Sequence, residues 1–188
     1  MTHKAEYRSA VRSKELIKSA FIELIRTKPI DRITVTNIVE KADLNRGTFY
    51  AHYADINALI KSIEEEIVQN LCERLYNIKG NNFFKEPLPL FMQISEYLEN
   101  NKELISVIIN SSATSSFVMS LPDLITEHLL SSKDMDKKLR KDPQFQMKCR
   151  FYAGGAGSIY TAWFNGSIEG SLYDVARMLE AIIKSQRL

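Results

Sequence analysis

The chain has 188 residues, of which 45% are hydrophobic and 26% are charged, and its formal net charge is +2. This length and apolar content exclude a disordered chain and predict a real core in one large domain or two small ones. No apolar run approaches the ~20 residues that cross a bilayer, and the first sixteen residues lack the apolar centre of a secretory signal, so we expect a cytoplasmic protein without a membrane partner.

The first predicted element is an amphipathic helix. Apolar residues that include Ile17, Phe21 and Leu24 recur at spacings of three and four, which is typical of a helix with one buried face. We expect this helix to end near Pro29, because a proline disfavours helical geometry in the residue before it.

Two short helices are predicted next. Thr34 is a plausible N-cap for a helix from Val35 to about Lys41, and Asn45 is a plausible N-cap for a helix from Arg46 to about His52. Two short helices joined by a turn of about three or four residues describe a helix-turn-helix unit.

Apolar spacing and cap residues predict helices through the rest of the chain. Asp55 can cap a fourth, long helix that stops at "IKGNN", and residues 83–89 are the best candidate linker. Pro122 predicts a kinked helix or two short ones, and residues 131–142 predict a solvated helix end and loop. Further helices are expected at 90–98, at 103–109, from Asp142 to about Phe164, and after a capping box formed by Ser171 and Asp174.

The helix before the last one contains the run "AGGAG" at residues 153–157. A glycine inside a helix costs about 1 kcal/mol relative to alanine, so three in four residues need a reason such as a close backbone approach. Either tight packing within one chain or helix contact across a dimer axis would supply that reason. The dimer interpretation assigns an interface to Gly154, Gly155, Trp163, Phe164, Leu172, Val175 and Leu179.

Residues 33–60, "ITVTNIVEKADLNRGTFYAHYADINALI", resemble the DNA-binding region of the TetR/AcrR family of transcriptional regulators. The agreement lies at Ile33, Thr34, Val35, Ile38, Ala42, Gly47, Thr48, Phe49, Tyr50, His52, Tyr53 and Leu59. The resemblance implies an all-α fold with a three-helix DNA-binding domain at 8–70 and its helix-turn-helix motif at 34–53. An effector-binding and dimerisation bundle of about five or six helices would then occupy 71–188, where "FYAGGAGSIYTAW" is similar to the C-terminal pattern of one subgroup from Gram-positive bacteria.

The sequence departs from the family pattern at three positions. Asp43 occupies the turn position where glycine is usual, and aspartate tolerates a left-handed conformation reasonably well. Tyr53 replaces a phenylalanine. Ile56 stands where a lysine commonly opens the fourth helix, so one phosphate contact is missing.

The motif predicts which side chains would meet DNA. The second helix of a helix-turn-helix enters the major groove, where Arg46 would read a guanine while Phe49 faces the core. Residues 1–60 carry ten Lys/Arg against seven Asp/Glu, a modest excess that is compatible with phosphate contacts. The predicted DNA-binding residues are Thr34, Thr36, Asn45, Arg46, Gly47, Thr48, Tyr50, His52 and Tyr53.

The second half of the chain is rich in aromatic residues and methionines, which in this family often line a ligand cavity. The expected cavity residues are Phe91, Met92, Phe117, Tyr152 and Tyr160, although such residues also form ordinary cores. We therefore expect a homodimeric repressor that reads a palindromic operator and is released by a small hydrophobic effector. The alternative is a co-regulator without a ligand that acts through a protein partner.

An enzyme is not indicated. The sequence has no glycine-rich phosphate loop, no nucleophile elbow and only three histidines. Cys72 and Cys149 lack metal-ligand spacing, so neither a zinc site nor a cofactor is expected.

Overall fold

The computed structural model describes residues 3–76, 86–110, 115–131 and 135–185, and the chain divides into two compact units, Met1–Glu66 and Ile67–Leu188. Throughout these described ranges the regular structure is helical, which confirms the predicted all-α class with an N-terminal helix-turn-helix. The helices are α1 (His3–Ile25), α2 (Val35–Lys41), α3 (Arg46–His52), α4 (Ile56–Tyr76), α5 (Leu88–Asn100), α6 (Lys102–Asn110), α7 (Ser115–Ser131), α8 (Lys137–Lys141), α9 (Pro143–Phe164) and α10 (Leu172–Ser185), with a 3-10 helix at Ile30–Arg32.

The first unit has its core where α1 packs against α2 and α3. Ile17 and Phe21 of α1 meet Ile38 and Phe49 in this core, and all four side chains are at most 2% exposed. Burial of each stabilises the unit by roughly 1.5–3 kcal/mol, so the two short helices are held mainly by tertiary packing.

The turn between α2 and α3 is a closed C-terminal cap. Asp43 adopts a φ of 54°, as its predicted left-handed role requires. The amide of Leu44 donates to the carbonyl of Val39 at 2.9 Å, and the amide of Asp43 donates to Glu40 at 3.3 Å. These two bonds form a Schellman motif, which satisfies the last carbonyls of α2 and sets the direction in which α3 begins.

The helix α4 starts where the sequence predicts, since Asp55 Oδ1 accepts a hydrogen bond from the amide of Ala58 at 2.8 Å. It continues from the first unit into the second. Its predicted stop at residues 78–82 lies outside the described residues, and the predicted domain boundary at residue 70 stays a prediction.

In the second unit, α10 packs mainly against α5. A buried polar network supports this contact: Ser95 Oγ donates to the carbonyl of Leu172 at 2.8 Å and lies 3.0 Å from the hydroxyl of Tyr160. Leu172 and Val175 are 0% exposed and Leu179 is 4% exposed. The prediction that these three leucine and valine side chains form a dimer interface is therefore wrong, because they fill the core of their own chain.

Two details of the second unit extend the predictions. Helix α7 is continuous through Pro122, and the hydroxyl of Thr126 donates to the carbonyl of Pro122 at 2.8 Å. The charge-rich stretch at 131–142 was predicted as a solvated helix end and loop, and it also contains the short helix α8, whose N-cap is Asp136. No helix in the described ranges is long and apolar enough to span a membrane.

Candidate nucleic-acid interface and effector cavity

Local caps fix the first turns of both short helices. Thr34 and Asn37 form a reciprocal capping box at α2, with donor–acceptor distances of 3.2 and 3.3 Å. Asn45 Oδ1 accepts from the amide of Thr48 at 2.8 Å at the start of α3. Each cap satisfies amides that the helix leaves unpaired, so the predicted starts of α2 and α3 are confirmed.

Most of the predicted DNA-binding residues lie at the surface. Thr34, Asn45, Arg46, Gly47 and Tyr50 are exposed, and the Tyr50 ring is 56% exposed despite its size. Thr36, Thr48 and His52 are half-buried. Phe49 points into the core, as expected. One face of α3 is thus held by the core while the other presents polar side chains.

The structure brings two predicted contact residues together. Arg46 Nη2 donates to Thr36 Oγ1 at 2.6 Å, which links the first turn of α3 to the first turn of α2. A guanidinium has five N–H donors, so one bond to Thr36 leaves a two-pronged edge for the acceptors of a guanine. Thr36, itself one of the predicted DNA-binding residues, therefore positions the arginine side chain.

Gly47 has a reason for its small size within the chain. A Cβ atom placed there would lie 3.1 Å from Asn45 Oδ1, the atom that caps α3. A side chain at this position would crowd the cap and require Asn45 Oδ1 to shift by a few tenths of an ångström, whereas glycine leaves the helix start undisturbed.

His52 and Tyr53 contact α1 and the core, respectively. His52 Nε2 lies 2.7 Å from Ser13 Oγ, a contact with α1 that the sequence did not reveal. Tyr53 is 5% exposed and its hydroxyl is buried, and this burial raises its pKa. The prediction that Tyr53 is a DNA-binding residue is wrong for this structure: the residue belongs to the core, where its ring packs beside Phe49.

Two lysines of the first unit are engaged in ion pairs. Lys18 has a side chain only 12% exposed and pairs with Glu66 at 2.5 Å and Glu15 at 3.5 Å. Burial alone lowers the pKa of Lys18, but the hydrogen bond and charge of Glu66, with those of Glu15, outweigh it and raise the pKa. Lys41 pairs with Glu23 at 2.7 Å, and its hydrogen bond lowers the pKa of Glu23.

The second unit contains an apolar cavity of about 570 Å³ between α4, α5, α6, α7 and α9. Its size falls in the usual range of ligand sites. The predicted residues Phe91, Tyr152 and Tyr160 line it. Met92 does not appear in its lining, and the side chain of Phe117 lies outside the described residues. The Tyr160 hydroxyl is already used within the chain, and burial raises its pKa to about 12.

The glycines of α9 do not serve close packing within the chain. Among the residues that the structure describes, a Cβ atom at Gly154 or Gly155 would meet no heavy atom within 4 Å, and one at Gly157 would meet only Pro122, at 3.8 Å. Gly154 and Gly157 border the cavity, whereas Gly155 is exposed. The glycines thus leave space on the side of α9 that faces the cavity and on the side that faces solvent.

Apolar side chains are exposed on the outer faces of α9 and α10. Met147 and Phe151 are each 69% exposed, and Gly155 continues their stripe at a spacing of four residues. Met178 and Ile182 form a similar stripe on α10. The predicted interface residues Trp163 and Phe164 are half-buried, and Trp163 Nε1 donates to the carbonyl of Gly170 at 2.8 Å.

Two family models match the chain. Residues 17–63 match "Bacterial regulatory proteins, tetR family", and residues 85–185 match a "Transcriptional regulator C-terminal region". A Bacillus subtilis (strain 168) protein, the uncharacterised HTH-type transcriptional regulator YvdT, is 41% identical over 66 residues, which are 35% of this chain and 32% of that protein. The chain therefore aligns with about a third of the length of this relative.

Solved structures share the fold over nearly the whole chain. The dihydroxyacetone kinase operon activator DhaS has a TM-score of 0.66 at 18% identity, with 93% of this chain and 95% of that chain covered. Thermus thermophilus FadR, a transcriptional repressor in complex with lauroyl-CoA, has a TM-score of 0.60 at 20% identity and the same coverage. At these identities the likeness establishes the architecture alone.

Proposed function

The chain belongs to the TetR family of bacterial transcriptional regulators, and from that premise we propose that it is a homodimeric repressor that binds a palindromic operator and is released by a small hydrophobic effector. The single observation that carries this proposal is the outward face of α3. Arg46, Gly47 and Tyr50 are exposed on a helix whose opposite side is fixed in the core by Phe49.

Each exposed group has a chemical task in this proposal. The leading residues of a recognition helix face base edges in the major groove. Arg46 would donate two hydrogen bonds to guanine O6 and N7, and Tyr50 would donate its hydroxyl to a phosphate oxygen. The Thr34 hydroxyl already accepts from Asn37 and can donate its own proton to a second phosphate.

Dimerisation would use the outer faces of α9 and α10. Exposed large apolar side chains are typical of a surface that binds a protein partner, and an interface formed by two copies of the same surface gives two-fold symmetry. The exposed stripes at Met147 and Phe151 on α9 and at Met178 and Ile182 on α10 therefore replace the three core residues as the proposed interface. Gly155, exposed without a Cβ atom, would allow two copies of α9 to approach closely.

Effector release would act through α4. This helix contributes Leu59 and Ile63 to the first unit, while Ile67 and Leu71 of the same helix line the cavity. A ligand that contacts Ile67 and Leu71 would favour one position of α4 over another, which is what a shift between two states requires. The open cavity supports this effector mechanism over a co-regulator whose cavity is filled by its own side chains.

Selection of bound DNA from a random pool tests the proposal most broadly. We expect a consensus with two-fold symmetry, with half-sites about one helical turn apart, as dimeric helix-turn-helix proteins require. Binding to the selected duplex should weaken as the salt concentration rises, because phosphate contacts release counterions. An asymmetric consensus would contradict the dimer, and failure to enrich any sequence would contradict sequence-specific DNA binding.

A further inference from the structure

We propose that the cavity of the second unit binds an uncharged amphiphile, a molecule with an apolar chain and one hydroxyl or carbonyl group, and that the side chains of Thr161 and Asn165 hold the polar group. This inference rests on the proposed function, because it names the chemical class of the effector. It depends on the composition of the cavity wall and on the polar atoms that lie there.

The walls supplied by four helices are apolar. Helices α4, α5, α6 and α7 contribute aliphatic and aromatic residues, one methionine and one proline, among them Ile67, Leu98 and Ile105. Among the described lining residues there is no Lys, Arg, His, Asp or Glu. An ionised group taken from water into such a wall loses its hydration without gaining a counter-ion, whereas an alkyl chain gains from the transfer.

Polar side chains in the lining occur mainly along α9. Ser158, Thr161 and Asn165 follow one another at spacings of three and four residues, so they share one face of the helix. In the part of the chain that the structure describes, the hydroxyl of Thr161 and the side-chain amide of Asn165 take part in no hydrogen bond. Together they offer donors and acceptors, which match a neutral hydroxyl or carbonyl group.

The position of these groups sets the orientation of the ligand. Asn165 is exposed and Thr161 is half-buried, so the polar end of the ligand would lie at the edge of the cavity, where it is partly withdrawn from solvent. Gly154 and Gly157 border the cavity further along α9, where a side chain would occupy the volume. Glycine at these two positions lowers the stability of the helix but leaves room for an alkyl chain.

The experiment compares three probes that share a ten-carbon tail: 1-decanol, decanoate and decyltrimethylammonium. Isothermal titration of the full-length protein without DNA measures each affinity, at concentrations below micelle formation. We expect 1-decanol to bind at least about tenfold more tightly than either ion, because only the ions bring an unpaired charge to the wall. If either ion binds as tightly as the alcohol, or if no probe binds, the inference is overturned.

Variants place the ligand within the cavity. Thr161→Val should weaken 1-decanol binding by about two- to tenfold, the value of one hydrogen bond, whereas Thr161→Ser should retain the affinity. Equal losses in both variants would overturn the assignment of the polar group.

A second pair of variants tests whether the ligand occupies the cavity. Ala156→Leu, which fills the cavity, should weaken binding. Gln144→Leu, a change at an exposed position in the first turn of the same helix, should not. An Ala156→Leu variant that folds and binds normally would place the ligand elsewhere.

A separate titration keeps this inference distinct from the proposed function. Adding 1-decanol to the protein–DNA complex measures release from DNA. Binding of 1-decanol without release would contradict the effector mechanism and leave the ligand class standing. Release of DNA by decanoate at concentrations where 1-decanol does not bind would contradict the ligand class and leave the regulator standing.

Discussion

The two units of this chain are built in different ways. In the first unit, caps at Thr34 and Asn45 and a tight turn at Asp43 set short helices around a filled core. In the second unit, long helices enclose a cavity of about 570 Å³, and glycines leave further space along α9. The first arrangement holds a surface in a fixed geometry, and the second leaves room for something else to enter. The fixed geometry of the first unit suits the recognition of DNA, and the cavity of the second unit suits the binding of an effector.

The largest expected difference is between two adjacent residues of α3: Phe49 should contribute mainly to the stability of the fold, and Tyr50 mainly to DNA binding. Phe49→Ala should lower the free energy of unfolding by about 3–5 kcal/mol, because the ring is fully buried. Tyr50→Ala should cost no more than about 1 kcal/mol, since Tyr50 is 56% exposed and loses an edge contact with Phe49, while DNA binding weakens. Urea unfolding followed by circular dichroism measures both. Similar losses from the two variants would show that α3 is not divided into a core face and a reading face.

Alkaline pH should act first on the second unit. Burial raises the pKa of both Cys72 and Cys149 to about 11, from an ordinary value of 9.0. Below pH 9 both thiols are neutral in the folded and unfolded chain; above it only the unfolded chain ionises, so stability falls as the pH rises from 9 to 11. The loss should approach about 3 kcal/mol per thiol once the pH exceeds 11, because the acid dissociation constants of the folded and unfolded chain differ by about two tenfold steps, each worth roughly 1.4 kcal/mol.

Fluorescence of Trp163, the single tryptophan, reports this loss from within the second unit. Unfolding in urea at pH 8, 9 and 10 gives the trend. A variant with both cysteines changed to alanine serves as the control and should lose most of the pH dependence in this interval. If it keeps the full dependence, the thiols are not responsible.

Replacing an alanine by leucine in each unit compares the filled core of the first unit with the cavity of the second. Ala20→Leu in α1 should destabilise the chain by about 1–3 kcal/mol, because Ala20 is buried in a filled core. Ala156→Leu in α9 should be nearly neutral, because its side chain borders empty space. Thermal unfolding of both variants decides the point, and equal destabilisation would mean that the cavity is not available to a larger side chain.

The smallest effects are expected from introducing a glycine in the first unit and from removing one in the second. Asp43→Gly should stabilise the first unit by up to about 1 kcal/mol, since φ is 54° and glycine adopts this conformation without strain. Gly154→Ala should stabilise the second unit by about 1 kcal/mol, since the added Cβ meets no atom of the described residues within 4 Å. Denaturant midpoints measure both. A loss of stability would contradict the left-handed turn in the first variant and the open space beside α9 in the second.

The sequence predicted the first unit better than the second for a physical reason. The bounds of α2 and α3 follow from cap residues that act within three or four positions, so Thr34 and Asn45 were sufficient to place them. Tyr53 was wrongly assigned to the DNA-binding surface, because the sequence shows that a tyrosine has a hydroxyl group but not whether that group is exposed to solvent. The contact of Ser13 with His52 joins residues far apart in sequence, and no local pattern announces it.

In the second unit, amphipathicity showed that α9 and α10 have apolar faces but not what covers them. Leu172, Val175 and Leu179 were assigned to a partner chain, whereas α5 covers them. The exposed stripe at Met147 and Phe151 was the weaker signal in sequence, because it interrupts a polar surface with only a few residues. Cavity size depends on the packing of five helices, which no segment encodes alone.

The central claim is that α3 reads DNA through its exposed leading residues, and fluorescence anisotropy with a labelled duplex from the selected pool tests it most directly. The Arg46→Ala, Tyr50→Ala double variant should fold normally and lose at least about tenfold in affinity, since a good arginine–guanine pair alone is worth about 1–3 kcal/mol. Lys28→Ala, which removes one exposed charge in the turn that follows α1, should change affinity much less. A double variant that binds as tightly as the unmodified chain, or no more weakly than Lys28→Ala, would contradict the account.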